Sequence, residues 1–108
     1  MKQLPFKVKT ATGDLFEIVF PLHRDTGDPI KVEQLVSVIL RAVDAEMSVT
    51  GPTSNGDVLQ AVAMTLAIRT AMIHAPLGTS VLLTNELIRD ALKAIGSAEI
   101  SRAHSGRA

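Results

Sequence analysis

Residues 57–75 read DVLQAVAMTLAIRTAMIHA, the most apolar long stretch of the chain. On a helix with about 100° per residue, its polar side chains are scattered in angle instead of gathering on one side. A helix that is apolar nearly all round is usually buried nearly all round. We therefore expect residues 57–75 to form a buried middle helix, capped by Ser54 or Asn55, around which the other elements pack.

Alanine recurs at every fourth position of this helix. Small side chains at that spacing let the backbone of another helix approach closely. Packing within the chain and self-association both explain the pattern. If the chain self-associates, the stripe is a candidate interface, formed by Ala63, Ala67 and Ala71. We do not expect a membrane span, since Asp57, Arg69 and His74 interrupt the apolar run.

The N-terminal residues 4–20 are predicted to form a β-hairpin, because apolar and polar side chains alternate with period two. A three-residue loop at 12–14 places Phe6 opposite Phe20 and gives one wholly apolar face. This register requires Asp14 to take a left-handed backbone conformation, which Asp tolerates better than most residues.

The outer face of the hairpin carries lysines. The same register sets Lys9 opposite Glu17, so the charges on this face are matched. A two-stranded hairpin is marginal alone, and its edge, with Lys7 and Lys9, is a second candidate interface. Binding of nucleic acid through these lysines is a weaker alternative, because a few partly neutralised lysines are more typical of a solvated edge.

Two amphipathic helices flank the middle one. The first spans residues 29–48 and begins with an Asp28 N-cap followed by proline. The third is capped by Thr79 or Ser80 and ends where Gly96 can take the left-handed C-cap conformation. The predicted order is therefore ββααα: an α+β fold with an N-terminal β-hairpin, three antiparallel helices and a buried middle helix.

The length of 108 residues indicates one domain, which we place at residues 1–96. Residues 97–108 are polar and rich in small side chains, so we expect a mobile tail there.

Composition excludes several classes of function. The absence of cysteine rules out disulfides, thiolate metal sites and a cysteine nucleophile. The formal net charge is zero, so no global field attracts nucleic acid or an anionic membrane. The N-terminus lacks the uninterrupted apolar run of a signal peptide, and we expect a cytoplasmic location by default.

One loop concentrates reactive side chains. His23, Asp25 and Asp28 offer nitrogen and oxygen ligands, and His74 is a candidate fourth ligand or general base. The plainer interpretation is that Asp28 caps a helix while His23 and Asp25 face solvent. We therefore assign no catalytic residue, metal or cofactor to the chain.

The leading hypothesis is a non-enzymatic protein-interaction or regulatory domain that acts as a homo-oligomer, most simply a dimer, with a further protein partner left open. The alternative is a small metal-dependent or acid–base enzyme that uses the loop with His23, Asp25 and Asp28. Convergence of those side chains on one pocket would favour the enzyme.

Overall fold

The structure is a computed structural model that describes residues 2–103. It confirms the predicted ββααα order of an α+β fold and adds a short third strand. The elements are β1 (Gln3–Lys9), β2 (Leu15–Pro21), α1 (Pro29–Thr50), α2 (Asn55–Ala71), α3 (Leu77–Gly96) and β3 (Glu99–Ser101). Over the described residues, none of the helices combines the length and apolar character that crossing a bilayer requires.

The chain forms two compact units. The first contains the chain up to Leu35 together with the chain from Ile88 onward, and so includes the sheet. The second is Val36–Leu87, with most of α1, the whole of α2 and the first half of α3. The predicted single domain over residues 1–96 stays a prediction.

The hairpin forms as predicted, but its register is different. Leu4 pairs with Phe20 and Phe6 with Ile18, a shift of two residues from the predicted pairing of Phe6 with Phe20. The loop has the predicted length of three residues, but it lies at 11–13. The shift keeps the same side chains on the same face, because strand side chains alternate with period two.

Gly13 explains the position of the loop. Its φ is +92°, and no residue other than glycine in the described chain has a positive φ, so the left-handed Asp14 was wrong. Gly13 N–H donates to the Thr10 carbonyl and Thr10 N–H donates to the Asp14 carbonyl. A type I turn followed by a left-handed residue is the usual three-residue hairpin loop, and glycine takes that position without steric cost.

The core of the first unit lies on one face of the hairpin. Among the described residues, the buried hydrophobic side chains are Leu4, Phe6 and Ile18. The rings of Phe6 and Phe20 lie with centroids 6.3 Å apart and planes tilted by 55°, a favourable aromatic arrangement.

The strand β3 lies inside the segment that we expected to be a mobile tail. It pairs antiparallel with β2, with Phe16 opposite Ile100 and Glu17 opposite Glu99. The prediction missed it because three residues are too few to show a clear alternation. Residues 104–108 of the predicted tail lie outside the described residues.

Asp14 anchors the chain that follows β3. Its Oδ1 accepts a hydrogen bond from Ala103 N–H at 2.7 Å, and its Oδ2 lies 3.2 Å from the Arg102 guanidinium. The Arg102 guanidinium also lies over the Phe16 ring, 5.9 Å from its centroid. The hydrogen bond from Ala103 lowers the pKa of Asp14 below its ordinary value of 3.8, and Arg102 adds to that effect while partial burial opposes it.

The helix starts follow the sequence signals. Asp28 caps α1, with its Oδ1 accepting from Lys31 N–H at 3.1 Å, and Pro29 is the first helical residue. Ser54 caps α2, with its Oγ accepting from Asp57 N–H at 3.1 Å. For α3 the prediction was wrong, because the helix begins at Leu77, three to four residues before the start expected from a cap at Thr79 or Ser80.

The helix ends differ more from prediction. Gly51 ends α1 with φ of +97° and donates its N–H to the Met47 carbonyl at 2.9 Å. Gly96, expected in that role, is the last residue of α3 and does not have a positive φ. The helix α2 ends at Ala71, four residues before the predicted end at 75.

The predicted burial of the middle helix is wrong for the single chain. Thr70 is the buried residue of α2, whereas Leu59 is 72% exposed and Ile68 is 63% exposed. The apolar composition of the helix indicates that it needs cover on all sides. Within Val36–Leu87, the unit that contains α2, the other residues do not supply that cover.

Acidification should loosen the anchor at Asp14. A carboxylate with a lowered pKa in the folded state stabilises it above pH 3.8, and this contribution is lost as the pH falls through the folded-state pKa. In NMR spectra, we expect the Ala103 amide resonance to titrate with a midpoint below 3.8 and to lose this titration in Asp14→Asn. A midpoint at or above 3.8 would contradict the anchor.

Replacing Gly13 should destabilise the hairpin. Gly13→Ala places a Cβ 3.2 Å from the Ala103 Cβ and at a positive φ, so we expect a loss of about 1–2 kcal/mol in unfolding free energy. Gly27→Ala is the matched control, since nothing lies within 4 Å of the added Cβ and its φ is not positive. Equal stabilities of the two variants in urea denaturation would refute the role of Gly13.

Candidate interaction surface

An open apolar groove lies between α1 and α2 in the second unit. The residues that line it run from Val38 to Thr50 on α1 and from Asp57 to Thr65 on α2. The four residues 51–54 join the two helices, and side chains of both helices line the groove. We call this helical pair, residues 38–65, the α1–α2 hairpin.

The groove encloses about 490 Å³ and is lined mainly by aliphatic side chains. Val38, Ile39 and Val62 are between 42% and 53% exposed, so the groove is open to solvent. The complete lining is Val38, Ile39, Ala42, Val43, Glu46, Met47, Thr50, Thr53, Asp57, Val58, Ala61, Val62 and Thr65.

The spacing of these residues produces the groove. On both helices they recur at three- and four-residue intervals, which places them on one face. Ala42 on α1 and Ala61 on α2 leave room between the larger side chains. The groove is the feature that the sequence interpretation missed, because it assigned α2 no preferred side. The signal was present in Val58 and Val62, which fall on the side of α2 that faces α1.

Charged groups stand at the two ends of the groove. Glu46 and Asp57 are exposed near the end that contains the helix connection. Arg69 follows Thr65 by one helical turn, so it lies on the groove side of α2 toward the opposite end. Arg69 Nη1 lies 3.5 Å from Met72 Sδ. Neither Asp57 nor Arg69 forms an ion pair within the described part of the chain.

The predicted alanine stripe lies elsewhere on α2. Ala63, Ala67 and Ala71 are exposed and do not line the groove. At about 100° per residue, Ala67 is about 120° from Ala61 and about 140° from Val62. The proposed interface role of these alanines stays a prediction.

A small polar contact joins α2 to α3 within the second unit. The hydroxyl groups of Thr70 and Thr84 lie 2.8 Å apart, and Thr70 Oγ1 also donates to the Leu66 carbonyl. Ser80 on α3 is 3% exposed, and its Oγ is a buried group without a hydrogen-bond partner. Hydroxyl groups therefore occupy the most buried positions of this unit.

The loop with His23, Asp25 and Asp28 is organised by its own backbone. His23 Nδ1 accepts a hydrogen bond from Asp25 N–H at 3.1 Å and lies 3.8 Å from Asp25 Oδ2. The Asp25 side chain is 79% exposed, and Asp28 is committed to capping α1. Lys2 Nζ donates to the Thr26 carbonyl at 2.8 Å.

The structure does not bring these candidate ligands together in the described part of the chain. Within residues 2–103, no group of three histidine, aspartate or glutamate side chains is placed to hold an ion. His74 lies in the turn after α2 and is exposed. The geometry thus gives the enzyme hypothesis no pocket in which these side chains converge.

Of the two hairpin lysines, Lys7 faces carboxylates and Lys9 lies opposite Leu15. Lys7 pairs with Glu17, which in turn pairs with Glu99 across the sheet, so the predicted pairing of Lys9 with Glu17 was wrong. These three residues line a second cavity of about 450 Å³ in the first unit. A row of one lysine and two glutamates is not the positive patch that phosphate binding requires.

The free edge of β1 is a poor template for another strand. The pairing of Thr10 with Asp14 places even-numbered residues of β1 in the hydrogen-bonded positions toward β2. Odd-numbered residues, Pro5 among them, therefore present their backbone groups to the open edge. Proline lacks an N–H, and lysine on an edge also opposes pairing.

No protein-family model, curated protein or solved structure matches this chain. The interpretation of its surface therefore depends on geometry and chemistry.

Substitutions at Asp28 and Asp25 should show whether the loop with His23, Asp25 and Asp28 caps α1 or binds a metal. We expect Asp28→Ala to lower the unfolding free energy by about 1 kcal/mol, because it removes an N-cap hydrogen bond. Asp25→Ala should change it by less than about 0.5 kcal/mol, since that side chain is mostly exposed. Thermal denaturation with and without Zn²⁺ measures both effects. Stabilisation by Zn²⁺ that Asp25→Ala abolishes would favour the metal-site alternative instead.

Proposed function

We propose that this protein is a non-enzymatic interaction domain that acts as a homo-oligomer, most simply a dimer. Its helices complete their hydrophobic core by packing against a second copy. The enzyme and nucleic-acid alternatives receive no supporting geometry from the loop or from the hairpin lysines.

The lack of buried apolar side chains in the second unit is the observation that supports this proposal. Among the residues of Val36–Leu87, those that are buried are Thr70 and Ser80, and no large hydrophobic side chain is buried. Ordering a residue costs about 1–2 kcal/mol in backbone entropy, and burial of apolar surface is the main term that offsets it. A helical unit without buried apolar side chains needs a partner to remain folded.

The exposed surface is large enough for a stable interface. Most of the exposed large hydrophobic residues lie on α1, α2 and α3. If roughly fifteen half-exposed side chains each lose about 50 Å² of apolar surface, association buries on the order of 800 Å² per copy. That area equals the typical contribution of one partner to a specific protein–protein interface, about 800 Å².

Charge does not oppose self-association. The formal net charge is zero at pH 7, so two copies do not repel each other through their overall fields. A second copy is also present wherever the first is made. These two facts favour a homo-oligomer over a dedicated partner of different sequence.

Association should be visible both in the molecular mass in solution and in the melting temperature. By light scattering after size exclusion at about 10 μM, we expect at least twice the chain mass of 11.5 kDa. The melting temperature should rise by about 3 °C for each tenfold increase in concentration, because dissociation accompanies unfolding. A monomeric mass, combined with a cooperative transition that does not depend on concentration, would refute the proposal.

A further inference from the structure

We infer that the occupant of the groove is the same α1–α2 hairpin of a second copy, and that the two hairpins form a four-helix bundle about a two-fold axis. This inference rests on the proposed homo-oligomer and adds the surface through which it forms.

The shape of the groove favours helices as its occupant. Two connected helices that share one open apolar groove form only one layer, and a stable core requires a second layer packed against it. A second helical pair supplies that layer in a four-helix bundle. The lining meets this requirement, since Ile39, Val43 and Met47 follow a four-residue spacing on α1 and Val58, Val62 and Thr65 continue a similar row on α2.

The end charges fit a two-fold arrangement. Asp57 and Arg69 are twelve residues apart on one helix, so their Cα atoms are separated by about 18 Å and the two side chains cannot pair within a copy. A two-fold axis that crosses α2 between them reverses the partner helix. It thereby brings Asp57 of each copy toward Arg69 of the other, and the contact occurs twice.

The groove fits a second copy of the chain better than the alanine stripe or the edge of β1 does. The stripe has small side chains, but the groove is the recess lined by aliphatic side chains at half exposure. The edge of β1 is interrupted by Pro5 and carries Lys7 and Lys9. The occupant that satisfies both the apolar lining and the end charges is a copy of the same hairpin.

A matched pair of alanine substitutions tests the location. Ala61 lines the groove and Ala67 belongs to the stripe, and both are exposed on the same helix. Ala61→Asp should weaken dimerisation about 30-fold or more, because it buries an unpaired charge, while Ala67→Asp should weaken it less than about threefold. Sedimentation equilibrium measures both dissociation constants. The reverse order of effects would overturn the inference in favour of the alanine stripe.

A charge exchange tests the two-fold pairing. Asp57→Arg and Arg69→Asp should each weaken the dimer about fivefold or more by placing like charges together, and the double variant should recover most of that loss. Recovery can only arise between copies, because the two positions are too far apart within one helix. Circular dichroism checks that each variant keeps its helical content. Losses that add in the double variant would overturn the inference.

The results separate this inference from the proposed function. If the unaltered chain is a monomer, both fail. If it is a dimer that neither Ala61→Asp nor the charge variants weaken, the homo-oligomer stands and the groove is overturned as its interface.

Discussion

Apolar helical surface that stays exposed among the described residues is the main physical constraint on this protein. The sheet has a small core of its own around Phe6 and Ile18. The helices of the second unit have none, and most of their valine, leucine and isoleucine side chains remain exposed. Burial of such side chains is the dominant favourable contribution to folding. The proposal of a partner therefore rests on the exposure of the helices and not on any reactive group.

The first unit shows how a small sheet is held together with few buried residues. The hairpin turns at Gly13, where a positive φ gives the three-residue loop its geometry. The next residue, Asp14, then binds the chain beyond β3 through the Ala103 amide and Arg102. Side-chain hydrogen bonds to backbone N–H groups order a segment that has little apolar surface of its own. Polar contacts thus compensate for the short length of β3.

Much of the local structure was predictable because its signals are local. Period-two alternation identified the hairpin, and Asp28-Pro29 and Ser54 marked two helix starts correctly. The errors occurred where two local signals compete. Gly13 and Asp14 both accept turn conformations, and Gly51 and Gly96 both lie at the end of a helix, yet of these four residues only Gly13 and Gly51 take a positive φ. The choice depends on neighbouring hydrogen bonds that the sequence does not display.

The sequence by itself determined the order of elements, the apolar faces and the absence of cysteine chemistry, because these depend on residue type and spacing alone. Tertiary structure decided the register of β1 on β2, the addition of β3 and the side of α2 that faces α1. It also decided that α2 is exposed, since spacing shows that a face must be covered but not whether the same chain covers it. The surface of α2 that was predicted to be core is therefore a candidate interface.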